Sequence, residues 1–222
     1  MITVIYFWKV KPKFVPIAIF YMAIHRRAVR KFPGVKFAKL LGTGKGITFT
    51  PLDASALRWG ILLTINQSDL NKFEQSSIIK SWQRIAISSY TAKLKPISSH
   101  GFWSKQQPFE IEDTPWQGDG KIVAITRARI AWLQNIKFWR AVPPVTNSLH
   151  NSPGLIAAIG IGEAPIGLQG TFSIWQDSAS LRNFAYKGEA HSRAITATAE
   201  NEWYSEELFA RFALLAESGE LL

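Results

Sequence analysis

The same structural unit is written twice along this chain. Residues 2–10 (ITVIYFWKV) align with 122–130 (IVAITRARI) at an offset of 120. That offset also carries Phe32-Pro33-Gly34-Val35 onto Ser152-Pro153-Gly154-Leu155. Further on, Gly60–Ile65 and Leu70–Phe73 align with Gly170–Trp175 and Leu181–Phe184, where the offset falls to 110–111. A longer loop around Gly42–Trp59 in the first copy accounts for the change. A repeated unit of about 110 residues must bury its apolar face, and its twin is the nearest surface that can cover it.

Residues 2–10 are β-branched and aromatic-rich and end at Lys11-Pro12, which predicts a strand. Residues 14–31 read as a helix, with Pro16 in its first turn and basic residues gathering at its end. Strands follow at 35–41 and 57–65, then a helix over 69–84 with Ser68 as its N-cap, then a strand at 86–95. The second copy predicts a strand at 121–130, helix 133–149, strands 154–161 and 168–175, a helical region 178–200 and a strand 206–215. Each copy is therefore β-α-β-β-α-β, the ferredoxin-like order. The expected fold is α+β, with tandem ferredoxin-like repeats forming a pseudo-twofold barrel of the dimeric α+β type. Its parts are 1–97, a connecting segment 98–119, and 120–222 carrying the candidate cofactor site.

Composition narrows the function. An apolar fraction of 47% with 19% charged residues describes a globular chain. Nine Trp and fourteen Phe suit a packed core, or walls around a large planar or polyene ligand. With no cysteine there can be no disulfide, thiolate haem ligand, cysteine-held cluster or cysteine nucleophile, so any metal relies on His and carboxylates. The net charge of +10 points to an anionic partner. The basic clusters Lys9–Lys13 and His25–Lys31 flank the apolar stretch Phe14–Ile24, a pattern that fits an anionic membrane surface better than nucleic acid. At eleven residues that stretch falls short of the ~20 that cross a bilayer, and the N-terminus does not read as a signal peptide. The expected location is cytoplasmic, peripheral on the cytoplasmic membrane face.

His191 is the candidate that distinguishes the copies. On a helix, Gly188, His191, Ala194, Ile195 and Thr198 share one face, a small and apolar shelf for a flat cofactor. The matching position in the first copy is near Lys80, which offers no imidazole. Spacing alone leaves His191 open between an iron ligand and a structural histidine. His25 and His150 read as exposed residues at helix ends, and His100 as a loop residue able to face a pocket. Arg127 and Arg129 point the same way along a strand; a core-facing arginine must be paired, whether by propionates, a substrate carboxylate or Glu. Gly42–Gly46 lacks the spacing of a phosphate loop and reads as a flexible connection, and Gly160–Pro165 is no dinucleotide fingerprint. Glu206-Glu207 reads as a solvated strand edge.

Several runs resemble the spheroidene monooxygenase family of carotenoid-modifying enzymes. They are Phe32–Val35 with Lys39–Gly44, Ser98–Trp103, Ile125–Ala128, Phe138–Pro143, Ile159–Pro165 with Gln169–Trp175, Ala190–Ile195 and Trp203–Phe212, together covering nearly the whole chain. The resemblance implies a haem-dependent oxygenase that introduces a keto group at carbon 2 of an acyclic carotenoid. It implies haem b as cofactor, dioxygen as co-substrate and a ferredoxin-like electron donor. It assigns His191 as the iron ligand, with Arg127, Trp103 and Trp175 as cofactor-pocket residues. Where the family often has Ser-Ser-Arg-Gly, this chain has His100, which joins Arg127 as a candidate catalytic residue and changes the polarity expected there. Two other readings use the same barrel: a haem- or lipophile-binding protein without catalysis, and a cofactorless monooxygenase.

Overall fold

In the computed structural model, eight antiparallel strands close into one barrel in the order β1-β3-β2-β6-β7-β5-β8-β4. Residues 1–112, 116, 118–130, 135–163, 168–187 and 204–221 are described; the side chains of 135–141, 168, 186 and 187 are not. The first half contributes β1 (Ile2–Val10), α1 (Val15–Arg30), β2 (Val35–Gly44), β3 (Ala54–Ile65), α2 (Gln67–Glu74), α3 (Ser77–Ile85) and β4 (Ala86–Gly101). The second contributes β5 (Ile122–Ile130), α4 (Asn135–His150), β6 (Leu155–Gly162), β7 (Leu168–Trp175), α5 (Ser178–Lys187) and β8 (Tyr204–Gly219).

Strand alternation sorts the core into three bodies. Ile5 and Phe7 of β1, Phe37 and Leu41 of β2, Val123 and Ile125 of β5, and Leu208, Ala210 and Phe212 of β8 point into the barrel. Trp103 and Phe109 of the connecting segment enter the same space and fill it, with Phe109 edge-on to Phe212 at 4.8 Å. On the outer face of the first half, α1, α2 and α3 cover Val4, Tyr6, Trp8, Ile61 and Leu63. There Trp8 stacks on Trp82 at 5.3 Å, and Tyr6 stacks on Trp8 at 5.6 Å. A smaller body in the second half joins Ile122, Ala124, Leu149, Ala158, Trp175 and Leu181. The largest fully buried rings, Trp8, Trp82, Trp103, Trp175, Phe7, Phe73, Phe172 and Phe212, thus lie within these cores.

The two closing seams differ. The β4–β8 seam pairs eleven residues, from Tyr90↔Gly219 to Gly101↔Leu208. The β2–β6 seam has two pairs, Gly42↔Gly162 and Thr43↔Ile161.

Several expectations need correction. The helix expected over 69–84 is two helices, broken at Gln75-Ser76, and its N-cap is Asn66 rather than Ser68. The last strand of the first half continues to Gly101, which places His100 on a strand. Gly42–Gly46 is no flexible connection. β2 runs to Gly44, and the buried Asp53 carboxylate accepts the backbone N–H groups of Gly46, Ile47 and Phe49 at 2.9, 3.1 and 3.3 Å. His25 is buried, because Ala18, His25 and Val29 share the inward face of α1, and it stacks on Tyr21 at 5.0 Å. Burial holds its imidazole below its ordinary value. His150 is exposed as expected, ends α4, and lies 3.2 Å from the Ile47 carbonyl oxygen.

Candidate functional site

The barrel interior becomes charged near one mouth. Lys39 lies between Phe37 and Leu41 on the inward side of β2, and Arg127 follows Val123 and Ile125 on the inward side of β5. Glu163 continues the inward series Ile159, Ile161 just past β6, and Glu206 precedes Leu208 on β8. Lys39 Nζ donates to Glu163 Oε2 at 2.6 Å and to Ser104 Oγ. Trp103 Nε1 donates to Glu163 Oε1 at 2.6 Å, and Arg127 Nη2 lies 3.4 Å from the same oxygen. Arg127 Nη1 donates to Glu206, whose two oxygens also accept the backbone N–H groups of Ser104 and Lys105 at 2.9 and 2.7 Å. Ser104 and Lys105 reach that position in left-handed backbone, with φ of 55° and 61°.

Two cations and two anions therefore neutralise one another, and the turn at 103–105 is tied to β2, β5, β8 and the end of β6. Burial pushes the Glu163 carboxyl up, but the hydrogen bonds from Lys39 and Trp103 and the charges of Lys39 and Arg127 outweigh it and hold it below 4.5. Glu206 is likewise pushed up by burial, then held below 4.5 by the N–H groups of Lys105 and Ser104 and by Arg127. Burial lowers the Lys39 ammonium from its ordinary value, against the opposing pull of Glu163. The 2.6 Å contact and the depressed Glu163 both indicate an ion pair. Among the three anions open to Arg127, the structure supplies Glu. The expectation for Glu206 is corrected: barrel closure gives β8 a neighbour on each side, and only 12% of the Glu206 side chain is exposed.

The outer face of the second half has a different chemistry. β1 and β3 pair Val4↔Leu63, Tyr6↔Ile61 and Trp8↔Trp59, while β5 and β7 pair Ala124↔Ser173, Thr126↔Thr171 and Ala128↔Gln169. In these pairs the first half carries large rings and branched chains and the second carries small or polar side chains. Tyr6, Trp8 and Ile61 are buried, whereas Thr126, Ala128 and Thr171 are half-buried. Pairing extends this shelf across the sheet as a row, His100–Phe209–Thr126–Thr171–Gly160. His100 and Phe209 are exposed at one end, and Gly160 at the other presents no side chain. With strands about 4.8 Å apart, the Thr126–Thr171–Gly160 portion is a strip about 10 Å wide.

The candidate residues thus fall on two sides of one sheet. Arg127 and Trp103 come together inside the barrel, the guanidinium 5.8 Å from the indole centroid. His100 lies on the outer face with the shelf. Trp175 lies on that face too, fully buried, stacked on Phe184 at 5.2 Å and donating to Ser173 Oγ at 2.9 Å. Alternation forbids Arg127 from reaching the side that holds Thr126 and Ala128. Arg129 follows Arg127 on its side but is exposed. His191 lies outside the described residues. Among the described residues, no three His, Asp or Glu side chains converge as an ion site, and no helix is long and apolar enough to cross a membrane. Lys39, Glu163 and Glu206 were not singled out from sequence. The available signal was a lysine at an inward position of a strand, FAKLL, which demands a buried anion.

No family model matches the chain. Among solved structures, an aldoxime dehydratase superposes with a TM-score of 0.58 at 7% identity, over 96% of this chain and 80% of that one. A second aldoxime dehydratase, crystallised with butyraldoxime, gives 0.55 at 9% identity, over 96% and 79%. These likenesses concern the fold. In sequence, the spheroidene monooxygenase of Rhodobacter capsulatus is 36% identical over 207 residues, 92% of this chain and 86% of that protein. The spheroidene monooxygenase of Rubrivivax gelatinosus is 35% identical over 189 residues, 84% and 72%. The one from Cereibacter sphaeroides is 34% identical over 201 residues, 89% of this chain but 61% of that protein. With matches of this extent, the chain belongs to the spheroidene monooxygenase family and is an oxidoreductase.

Proposed function

We propose that this chain is a haem-dependent monooxygenase that inserts oxygen into an acyclic carotenoid, with haem b on the outer face of its second half. The carotenoid class follows from the relatives' name. The observation that carries the location is the shelf. At registers where the first half packs Tyr6, Trp8 and Trp59, the second has the smaller Thr126, Ala128 and Gln169, which favours this face for a planar group. The two halves are taken here as copies of one ferredoxin-like unit, which the matching registers support.

His191, on the segment that follows α5, is the residue assigned to hold the iron. Bound haem would supply the iron that activates dioxygen, with electrons from a ferredoxin-like donor. The protein's own groups do the rest. Thr126, Thr171 and Gly160 offer a floor of short side chains that meets Phe49 at the Gly160 end, and Trp175 stacks on Phe184 on the same face. His100 stands exposed at the end of the row, where its ring nitrogens can hydrogen-bond to a ligand. Arg127 and Trp103 act from the other side of the sheet, positioning the 103–105 turn through Glu206 and Glu163. Trp103, Phe109 and Phe212 pack inside the barrel, which favours the outer face for the substrate as well.

The test is the absorption spectrum of protein purified from haem-replete cells. A Soret band is expected in the parent and not in His191→Ala, and oxygenated product is expected from spheroidene with dioxygen and a reductant. Absence of the band in the parent together with product formation would replace this reading with a cofactorless oxygenase. A band without product from any polyene would leave a haem-binding protein.

A further inference from the structure

The outer face of α1 carries exposed apolar side chains bracketed by cations. At 100° per residue, Ala18, His25 and Val29 face the sheet, and Pro16, Phe20, Ala23, Ile24, Arg27, Arg30 and Lys31 face away. Phe20 is 58% exposed, Ile19 55%, Ile24 45% and Ile17 38%. Four large apolar side chains thus lie bare within three turns. Exposed cations bracket them: Lys9, Lys11 and Lys13 before, and Arg26, Arg27, Arg30 and Lys31 after. The last four, with Ala23, line an open groove of about 320 Å³.

Charge distribution makes the patch specific. Residues 1–52 contain ten of the 26 Lys and Arg and no Asp or Glu, so the other 16 cations meet all 16 acids in the remainder of the chain. The net charge of +10 is in effect the charge of the segment that carries α1. An apolar strip between two cationic flanks is the pattern of a helix lying in a membrane interface, with its apolar side chains among the acyl chains and its Lys and Arg reaching lipid phosphates. Nucleic acid would match the flanks but leave Phe20 and Ile24 without a partner.

We infer that α1 docks this protein flat on an anionic lipid bilayer. Ile17, Ile19, Phe20 and Ile24 enter the acyl boundary, and Arg26, Arg27, Arg30 and Lys31 engage headgroup phosphates. The inference stands on α1 alone and does not depend on haem or on the oxygenation reaction. It adds a physical route for a substrate soluble only in lipid, since the protein would already rest on the phase that holds it.

The experiment is co-sedimentation of the full chain with vesicles free of carotenoid. Binding is expected to phosphatidylglycerol/phosphatidylcholine vesicles and not to phosphatidylcholine alone, and it should weaken in high salt. Each cation removed is expected to weaken binding about fivefold, so Arg27→Gln with Arg30→Gln should cost about 25-fold. Phe20→Ser with Ile24→Ser should reduce binding even at low salt, and an unchanged circular dichroism spectrum shows that each variant folds. Failure to bind anionic vesicles overturns the inference, as does binding unchanged in both double variants. Equally, a concentration-dependent dimer abolished by Phe20→Ser would assign the face to a second copy of the chain. Because no haem is read out, failure here leaves the Soret test intact.

Discussion

Replacing Glu163 by Gln removes the charge that two buried cations share while keeping the shape of the side chain. The amide oxygen can still accept from Trp103, so the loss is electrostatic. Lys39 is left with Ser104 as its hydrogen-bond acceptor, with 5% of its side chain exposed, and Arg127 keeps Glu206. Breaking a buried pair costs about 3–5 kcal/mol; Glu163 is 15% exposed, so the low end of about 3 kcal/mol applies. For a domain of this size each kcal/mol shifts Tm by about 2–4 °C, giving a drop of roughly 6–12 °C. Lys39→Met in the Glu163→Gln background removes the stranded ammonium and should restore stability to within about 1 kcal/mol of the parent. The assay is urea unfolding followed by tryptophan fluorescence, run as a double-mutant cycle. A cost under about 0.5 kcal/mol for Glu163→Gln, or a double variant as unstable as the sum of the singles, would refute the ion-pair account.

Acid should destabilise the fold in two stages. Burial holds His25 below 6.5, so the unfolded chain binds its proton first and stability falls as pH drops from 6.5; His25→Phe should flatten that stage in pH-dependent melts. Glu163 and Glu206 are held below 4.5, so their contribution is present above 4.5 and lost as pH falls through their folded values; Glu163→Gln should shrink that second loss, and an unchanged slope would contradict the assignment. Thr126→Tyr with Ala128→Trp rebuilds on the second half the rings of Tyr6 and Trp8, and it should abolish the Soret band while leaving the melting temperature near the parent's. Full haem occupancy in that variant would move the cofactor off the shelf. Trp82→Ala removes a fully buried ring stacked on Trp8 and should cost about 3–5 kcal/mol by urea unfolding, whereas a cost below 1 kcal/mol would mean that α3 is not anchored there.

Local chemistry made most of the strands legible. β1 ends at Lys11-Pro12 and β7 is bounded by turn residues and Gln176-Asp177, so β1 begins and ends where periodicity places it and β7 spans 168–175 as expected. Phase within α1 is equally legible: its spacing puts His25 with Ala18 and Val29, opposite Phe20 and Arg27, although its neighbours in sequence are basic. The ionic cluster was hidden for another reason: Lys39 meets Glu163 across 124 positions and Arg127 meets Glu206 across 79, and no local pattern states which carboxylate a buried cation will find. Glu206 looked solvated because an end strand has one edge free unless the sheet closes. The shelf is legible when the two halves are compared, since Tyr6 against Thr126 and Trp8 against Ala128 stand in the aligned segments themselves.

The unequal seams carry a consequence for how this chain can fail. If β2 and β6 part, the barrel becomes an open eight-stranded ribbon still held by β4 and β8, with two unpaired backbone edges on offer to other molecules. Gly42 and Gly162 meet there without side chains, and Thr146 and His150 of α4 reach the Thr48 and Ile47 carbonyls beside it. The lysine guards it as well. Once the seam parts, Lys39 faces an incoming strand as an unpaired charge on the inward side of β2, and a second chain docking on that edge would have to bury it. The ion pair that clasps the closed barrel thus becomes, in the open one, a deterrent to aggregation.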